Sequence, residues 1–147
     1  MYQHILIPTD GSTLSRRAAH AGVELAKVVG ARVTGLFAAP PATPIVYRNH
    51  LPVGYRDPAE HRKLIELAAA RYLDLVQRDA RKAKVECATL SVTSDYPSDA
   101  ILATAKKRGC DLIFMASHGR KGLIGALLGS ETQKVLAGAT VPVLVWR

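Results

Sequence analysis

Leu112-Ile113-Phe114-Met115-Ala116-Ser117-His118-Gly119-Arg120-Lys121-Gly122 leads, after six further residues, into Gly129-Ser130-Glu131-Thr132-Gln133. The opening run is apolar at consecutive positions rather than at alternate ones, as in a strand covered on both faces. A glycine-bearing loop and then a helix start come next in the chain. A buried strand would thus deliver backbone N–H groups, and the positive end of a helix at Gly129-Ser130, to a single point able to receive an anion. Gly119 and Gly129 permit close backbone approach and positive φ, Ser130 brings a hydroxyl, and Arg120 and Lys121 add positive charge. Each of these residues alone is also an ordinary turn residue, cap or solvated charge. Their joint placement behind a buried strand favours the anion site.

The same alternation of elements extends in both directions from this stretch. Residues 4–9 read as a short buried strand, broken by Asp10-Gly11-Ser12. A helix over 13–29 comes after it, with Leu14, Ala18, Gly22, Leu25 and Val29 at helical spacing and Gly30 as its stop. A strand over 32–37 leads into residues 40–58, which hold five of the eight prolines and can sustain neither a helix nor a central strand. This segment reads either as a lid over a site or as a mobile connection. Helical spacing returns over 59–82, with Ile65, Ala69, Tyr72, Val76 and Ala80 on one face. A looser strand covers 85–92. Pro97 opens a helix that turns Ile101 and Ala105 inward and stops at Gly109 behind Lys106-Lys107-Arg108. A final helix runs from Ser130, with Gln133 completing a capping box, to Gly138, and 141–146 close as a strand. The order β-α-β-loop-α-β-α-β-loop-α-β predicts an α/β fold: an open, doubly wound parallel sheet of five strands with helices on both faces, forming one domain over residues 1–147. Such sheets bind ligands beyond the carboxyl ends of their strands, where the winding reverses.

Composition narrows the function classes. A chain of 147 residues with 48% hydrophobic and 22% charged residues suits one soluble core. No apolar run is long enough to span a bilayer and the start lacks the features of a signal peptide, so a cytoplasmic location is expected. Cys87 and Cys110 lack zinc-ligand spacing and read as reduced structural thiols; no metal site is expected. A net charge of +8 raises the question of polyanions. The cations, however, come in scattered twos and threes: Arg16-Arg17, Arg62-Lys63, Arg81-Lys82, Lys106-Lys107-Arg108 and Arg120-Lys121. They read as solvated helix faces rather than one stripe, and aromatics at 5% offer little stacking surface. Neither nucleic acid nor membrane is expected as a partner.

Standard nucleotide motifs are missing. There is no G-x-x-x-x-G-K-[ST], and Gly119, Gly122 and Gly125 are spaced G-x-x-G-x-x-G rather than G-x-G-x-x-G. His118 lacks companion metal ligands, and Asp10 is a turn residue or a carboxylate that accepts hydrogen bonds from the adenosine part of a ligand. The sequence offers no oriented nucleophile–base pair and no evident general base. An ATP-using ligase or pyrophosphatase would carry an S-G-G-x-D-S loop where this chain has Thr9-Asp10-Gly11-Ser12.

Ile7-Pro8-Thr9-Asp10-Gly11-Ser12, Ala116-Ser117-His118-Gly119, the nine residues leading to Gly129-Ser130, and Val141-Pro142-Val143-Leu144-Val145 together resemble the universal stress protein family over essentially the whole chain. The resemblance implies a sheet of order 3-2-1-4-5, a homodimer formed through residues 141–146, and the ATP motif G-x2-G-x9-G-[ST] of the nucleotide-binding members. It also implies that Pro8, Thr9 and Asp10, with Ala38, hold adenosine. Ala116, Ser117, His118, Gly119, Arg120, Lys121 and Gly122, with Gly129, Ser130, Glu131 and Thr132, would wrap ribose and phosphates. Ala116 stands where the motif has its first glycine. An alanine there costs little in ordinary strand geometry and roughly 1 kcal/mol or more if positive φ is required. The expected function is an adenine-nucleotide-binding (ATP, AMP or ADP, with or without Mg2+) homodimeric stress-response regulator with little or no hydrolysis. The alternative is a dimeric interaction module that binds no nucleotide.

Overall fold

The computed structural model describes residues 1–42, 57–119 and 128–147. Five strands, β1 (His4–Pro8), β2 (Arg32–Ala39), β3 (Cys87–Thr93), β4 (Leu112–Ala116) and β5 (Val143–Trp146), pair in parallel in the order β3-β2-β1-β4-β5. Four helices connect them: α1 (Thr13–Val29), α2 (Pro58–Ala83), α3 (Pro97–Arg108) and α4 (Ser130–Gly138). The expected α/β architecture and strand order are the observed ones.

Strand alternation divides the core into two layers. Ile5, Ile7, Val33, Leu112, Phe114 and Ala116 face α1 and α2, meeting Ala18, Val23, Ala26, Val76 and Ala80. Leu6, Leu36, Ile113 and Met115 face the other way, against Ile101, Ala105 and Val135 of α3 and α4. The strands must therefore be apolar at every position, which explains their unbroken hydrophobic runs. Edge strands β3 and β5 are only partly covered.

Glycine sets how closely the helices approach. A Cβ on Gly22 would stand 2.8 Å from Ile7 Cδ1 and 3.2 Å from Phe114, so α1 lies almost against the sheet. The most buried face of α1 is Ser15, Ala18, Ala19, Gly22, Val23 and Ala26. Leu14, Leu25 and Val29 flank that face, which is rotated slightly from the expected one.

Several boundaries differ from the sequence expectation. Val85 belongs to the exit of α2: its N–H donates to Ala80 O (2.8 Å) behind Lys84, which caps the helix at φ 59, and β3 begins at Cys87. Pro142 lies outside β5, although its carbonyl accepts from Ile113 N–H at 3.0 Å. The expected Ser130–Gln133 capping box does not form. Gly129 is the N-cap, without a side-chain cap bond, and the Gln133 amide donates to Leu128 O at 3.0 Å. The proline-rich stretch read as a lid or mobile connection falls largely on residues 43–56, outside the described residues.

Candidate functional site

The strand order places β1 and β4 side by side while α1 and α4 leave the sheet on opposite faces, so the winding reverses between them. The chain leaving β1 is shaped by short polar bonds. Thr9 N–H donates to Leu36 O (2.8 Å), and the buried Thr9 hydroxyl meets Ser15 Oγ at 3.1 Å. The Asp10 carboxylate accepts from Ser12 N–H at 3.0 Å, and Ser12 caps α1 by accepting from Ser15 N–H at 3.2 Å. Gly11 sits at φ +76 with the Tyr72 ring packed where a Cβ would be. Tyr72 in turn meets Phe37 edge-to-face at 5.3 Å. The end of β1 is thereby pinned to α1, α2 and β2 at once.

The chain leaving β4 is fixed as firmly. Ser117 N–H donates to Trp146 O and Gly129 N–H to Ser117 O, each at 2.7 Å. The buried Thr132 hydroxyl donates to Ala116 O at 3.1 Å, so α4 starts directly against the end of β4. A Cβ on Gly129 would lie 3.1 Å from both Cα and Cβ of His118. A Cβ on Gly119 would run into the Asp10 carboxylate, which brings the β1 and β4 exits into contact.

Neither Gly119 nor Gly129 adopts the positive φ that the sequence permits at these positions; Gly129 has φ −68. At both a Cβ would be crowded, by the Asp10 carboxylate at Gly119 and by His118 at Gly129. Ala116 ends β4 in ordinary strand geometry with its methyl in the α1/α2 core, so alanine in the first-glycine position introduces no backbone strain.

Pro8, Thr9, Asp10, Ala38, Ala116, Ser117, His118, Gly119, Gly129, Ser130, Glu131 and Thr132 all lie at this end of the sheet or on the α4 turn against it. Arg120, Lys121 and Gly122 are outside the described residues. Several side chains are already taken up by the fold. Thr9, Ser117 and Thr132 are buried, and Glu131 reaches α3, where it accepts from Ser98 N–H (2.7 Å) while also pairing with Lys134 (2.9 Å). Burial pushes the Glu131 carboxyl up, but the bonds from Lys134 and Ser98 outweigh it and hold the group below the usual carboxylate range. Ser117 Oγ lies 3.2 Å from His118 Nδ1, and Ser117 is buried. The Asp10 carboxylate is half-buried, accepting from Ser12 N–H and lying against Gly119. The amides of Ser130, Glu131 and Thr132 precede the first intrahelical bond, from Gln133 N–H to Gly129 O (3.0 Å), so the helix itself does not use them.

Ser15, Tyr72 and Ser98 also support this site, a role the sequence does not announce. Tyr72 reads from the sequence as a core-facing position of α2, but nothing in its spacing reveals that it covers Gly11. Among the described residues no cluster of three His, Cys, Asp or Glu side chains could hold a metal ion.

The profile of the Universal stress protein family matches residues 1–147. Universal stress protein YxiE of Bacillus subtilis is 32% identical over 154 residues, covering all of both chains. Universal stress protein MJ0531 of Methanocaldococcus jannaschii is 31% identical over 150 residues, covering 99% of this chain and 82% of that protein. The chain belongs to the universal stress protein family. Among solved structures, MJ0577 of Methanocaldococcus jannaschii superposes with a TM-score of 0.77 at 26% identity, covering 99% of this chain and 96% of that one. A universal stress protein in complex with cAMP (TM-score 0.67, 22% identity, 98% and 95% covered) shares the fold. So does that of Archaeoglobus fulgidus in complex with dAMP (TM-score 0.69, 19% identity, 99% and 98% covered).

Proposed function

We propose that this chain binds an adenine nucleotide, ATP or AMP, in the crevice between the ends of β1 and β4, and acts as a homodimeric regulator with little or no hydrolysis. The observation that carries the reading is the meeting of Asp10, Gly119 and the Gly129 turn at the one point where the winding reverses. The α4 amides suit phosphate oxygens. The Asp10 carboxylate, acceptor-only and negative, suits a ribose hydroxyl or the adenine amino group and repels phosphate, so it orients the nucleoside toward β1 and the phosphates toward α4. That two proteins of this fold carry cAMP and dAMP accords with an adenine ligand, and the family membership accords with the regulatory role. The hydrolysis reading rests on the burial of the Ser117 hydroxyl, the one described at this end beside an imidazole. Dimerisation through β5 would cover an edge strand that leaves Leu144 exposed, with Leu136 of α4 also exposed.

Excess ATP-Mg should raise the melting temperature, GTP-Mg should do so less, and mass spectrometry of the denatured protein should detect released adenine nucleotide. At a hundredfold excess over Kd, a binder gains about 2.7 kcal/mol. Asp10→Ala should weaken binding about tenfold, the scale of one charge-assisted hydrogen bond. Turnover should stay below about 1 per second, and sedimentation should give a dimer. No thermal shift with either nucleotide and none released would favour the dimeric interaction module.

A further inference from the structure

Every strand of a parallel sheet starts at the same end, and every connecting helix finishes there. At this end, opposite the β1/β4 crevice, the fold collects cations that the sequence disperses. Helix α2 closes with Arg81, Lys82 and Lys84, all exposed. On the other face of the sheet α3 closes with Lys106, Lys107 and Arg108, also exposed. Arg32 opens β2 between them, and Lys27 lies in the last turn of α1.

Backbone bonds fix these pieces in one row. Arg32 N–H donates to Gln3 O (3.0 Å), Asp111 N–H to His4 O (2.9 Å) and Val33 N–H to Glu86 O (2.8 Å). The charges of Arg32 and Arg108 both bear on His4 and on Cys110, from the two sides of β1. Carboxylates are sparse here. Asp111 already accepts from Gln3 and His4 N–H, Glu86 precedes β3, and Glu24 lies near Lys27. Lys27 has a loose pairing with Glu24 at 3.9 Å, whereas none of the other seven cations forms an ion pair among the described residues.

We infer that this end of the sheet is a docking surface for an anionic phospholipid membrane, met face-on by the cations that close α2 and α3. Shape chooses between polyanions. The cations sit on both helix layers, roughly 20 Å apart across the sheet, and a plane reaches both layers together. A nucleic acid duplex curves away from one layer, and among the described residues no helix or ribbon stands out from this end to enter a groove. Val28, 80% exposed beside Lys27, adds an apolar contact suited to the headgroup boundary and of no use against phosphates. A protein held this way turns the β1/β4 crevice away from the lipid, so the surface works independently of the nucleotide reading.

The test is cosedimentation of the full chain with phosphatidylcholine vesicles containing roughly 30% phosphatidylserine, at salt of about 0.1 M and about 0.5 M. Binding is expected at the lower salt, with little at the higher salt and none to pure phosphatidylcholine. Each cation near such a surface contributes about fivefold in affinity, so Lys106→Gln/Lys107→Gln/Arg108→Gln should weaken binding roughly a hundredfold. Arg81→Gln/Lys82→Gln should weaken it by about two-thirds as much on a logarithmic scale, roughly 25-fold. Arg62→Gln/Lys63→Gln/Arg71→Gln removes the same charge from the beginning and middle of α2 and should leave binding within about twofold. Circular dichroism and melting confirm that each variant is folded. The inference is overturned by three results: no vesicle binding at low salt, equal losses for the two triple variants, or preference for a DNA duplex over the vesicles at matched phosphate.

Discussion

Gly11 shows how one residue type answers two demands. Its φ of +76 lies in the left-handed region and the Tyr72 ring fills the space where a Cβ would project. Gly11→Ala should therefore cost about 2–4 kcal/mol, the sum of backbone strain and overpacking, read as a lower urea midpoint. Pairing it with Tyr72→Ala should recover the overpacking part and leave the φ part. Asp111 acts through charge. Burial pushes its carboxyl up, but the His4 and Gln3 N–H groups, at 3.0 and 2.8 Å, more than reverse this, so its pKa is lowered in the fold. A carboxylate depressed in the fold contributes stability that is complete above its unfolded value, near about pH 4, and is lost as pH falls through the folded value. Asp111→Asn should cost about 1 kcal/mol at neutral pH and remove that acid-side dependence.

His4 adds a loss at milder acidity. Its imidazole is buried, with Nε2 2.8 Å from Thr34 Oγ1 and Nδ1 unpartnered. Burial and then the Arg32 charge lower its pKa, against a weaker upward pull from the Arg108 carbonyl and Asp111. The unfolded chain takes up the proton first, so stability should decline as pH drops below about 6.5, and His4→Gln should flatten the stability profile there. Both cysteines are kept as thiols by burial, which raises Cys87 and pushes Cys110 up to about 11, with Asp111 adding to the latter.

At the scale of elements, the decisive joint is between α3 and α4. Pro97 opens α3 with no side-chain cap from Tyr96, and Glu131 of α4 supplies the missing acceptor to Ser98 N–H across the helix pair. Glu131→Ala should cost about 1–2 kcal/mol, because it strips a helix start of its acceptor. Lys134→Ala should cost far less than Glu131→Ala, since that ion pair is exposed. A denaturation cycle over Glu131 and Ser98→Pro, which removes the N–H within the first turn, should show the coupling. A sequence reading finds the helices, their stops at Gly30 and Gly109 and the core faces, because periodicity and capping chemistry are local. The Glu131–Ser98 bond escapes it: it joins groups 33 residues apart, and the same glutamate reads equally well as part of a phosphate loop.

Across the whole molecule, the doubly wound parallel class was legible because unbroken apolar strands and a β-α-β rhythm admit few arrangements, whereas the strand order, and with it the place of the winding switch, came only from the family resemblance. The role of the glycines was legible only in part. Gly119 and Gly129 read as residues that permit close backbone approach and positive φ; neither adopts positive φ, and the close neighbours they admit are Asp10 and His118. Charge was the least legible property. Lys82, Lys106 and Arg32 look unrelated along the chain, and only the common polarity of a parallel sheet brings them to one end.

The central position of β1 bears on how the chain is made. Its pairing with β2 can form soon after the first forty residues leave the ribosome, but its other edge waits for β4, whose approach is tied to the start of the chain by the Asp111–Gln3 bond across 108 residues. Until then a strand that is almost wholly buried in the finished fold has one open side and can recruit a neighbouring nascent chain. Translation stalled ahead of residue 111 should therefore give aggregates in place of a folded half.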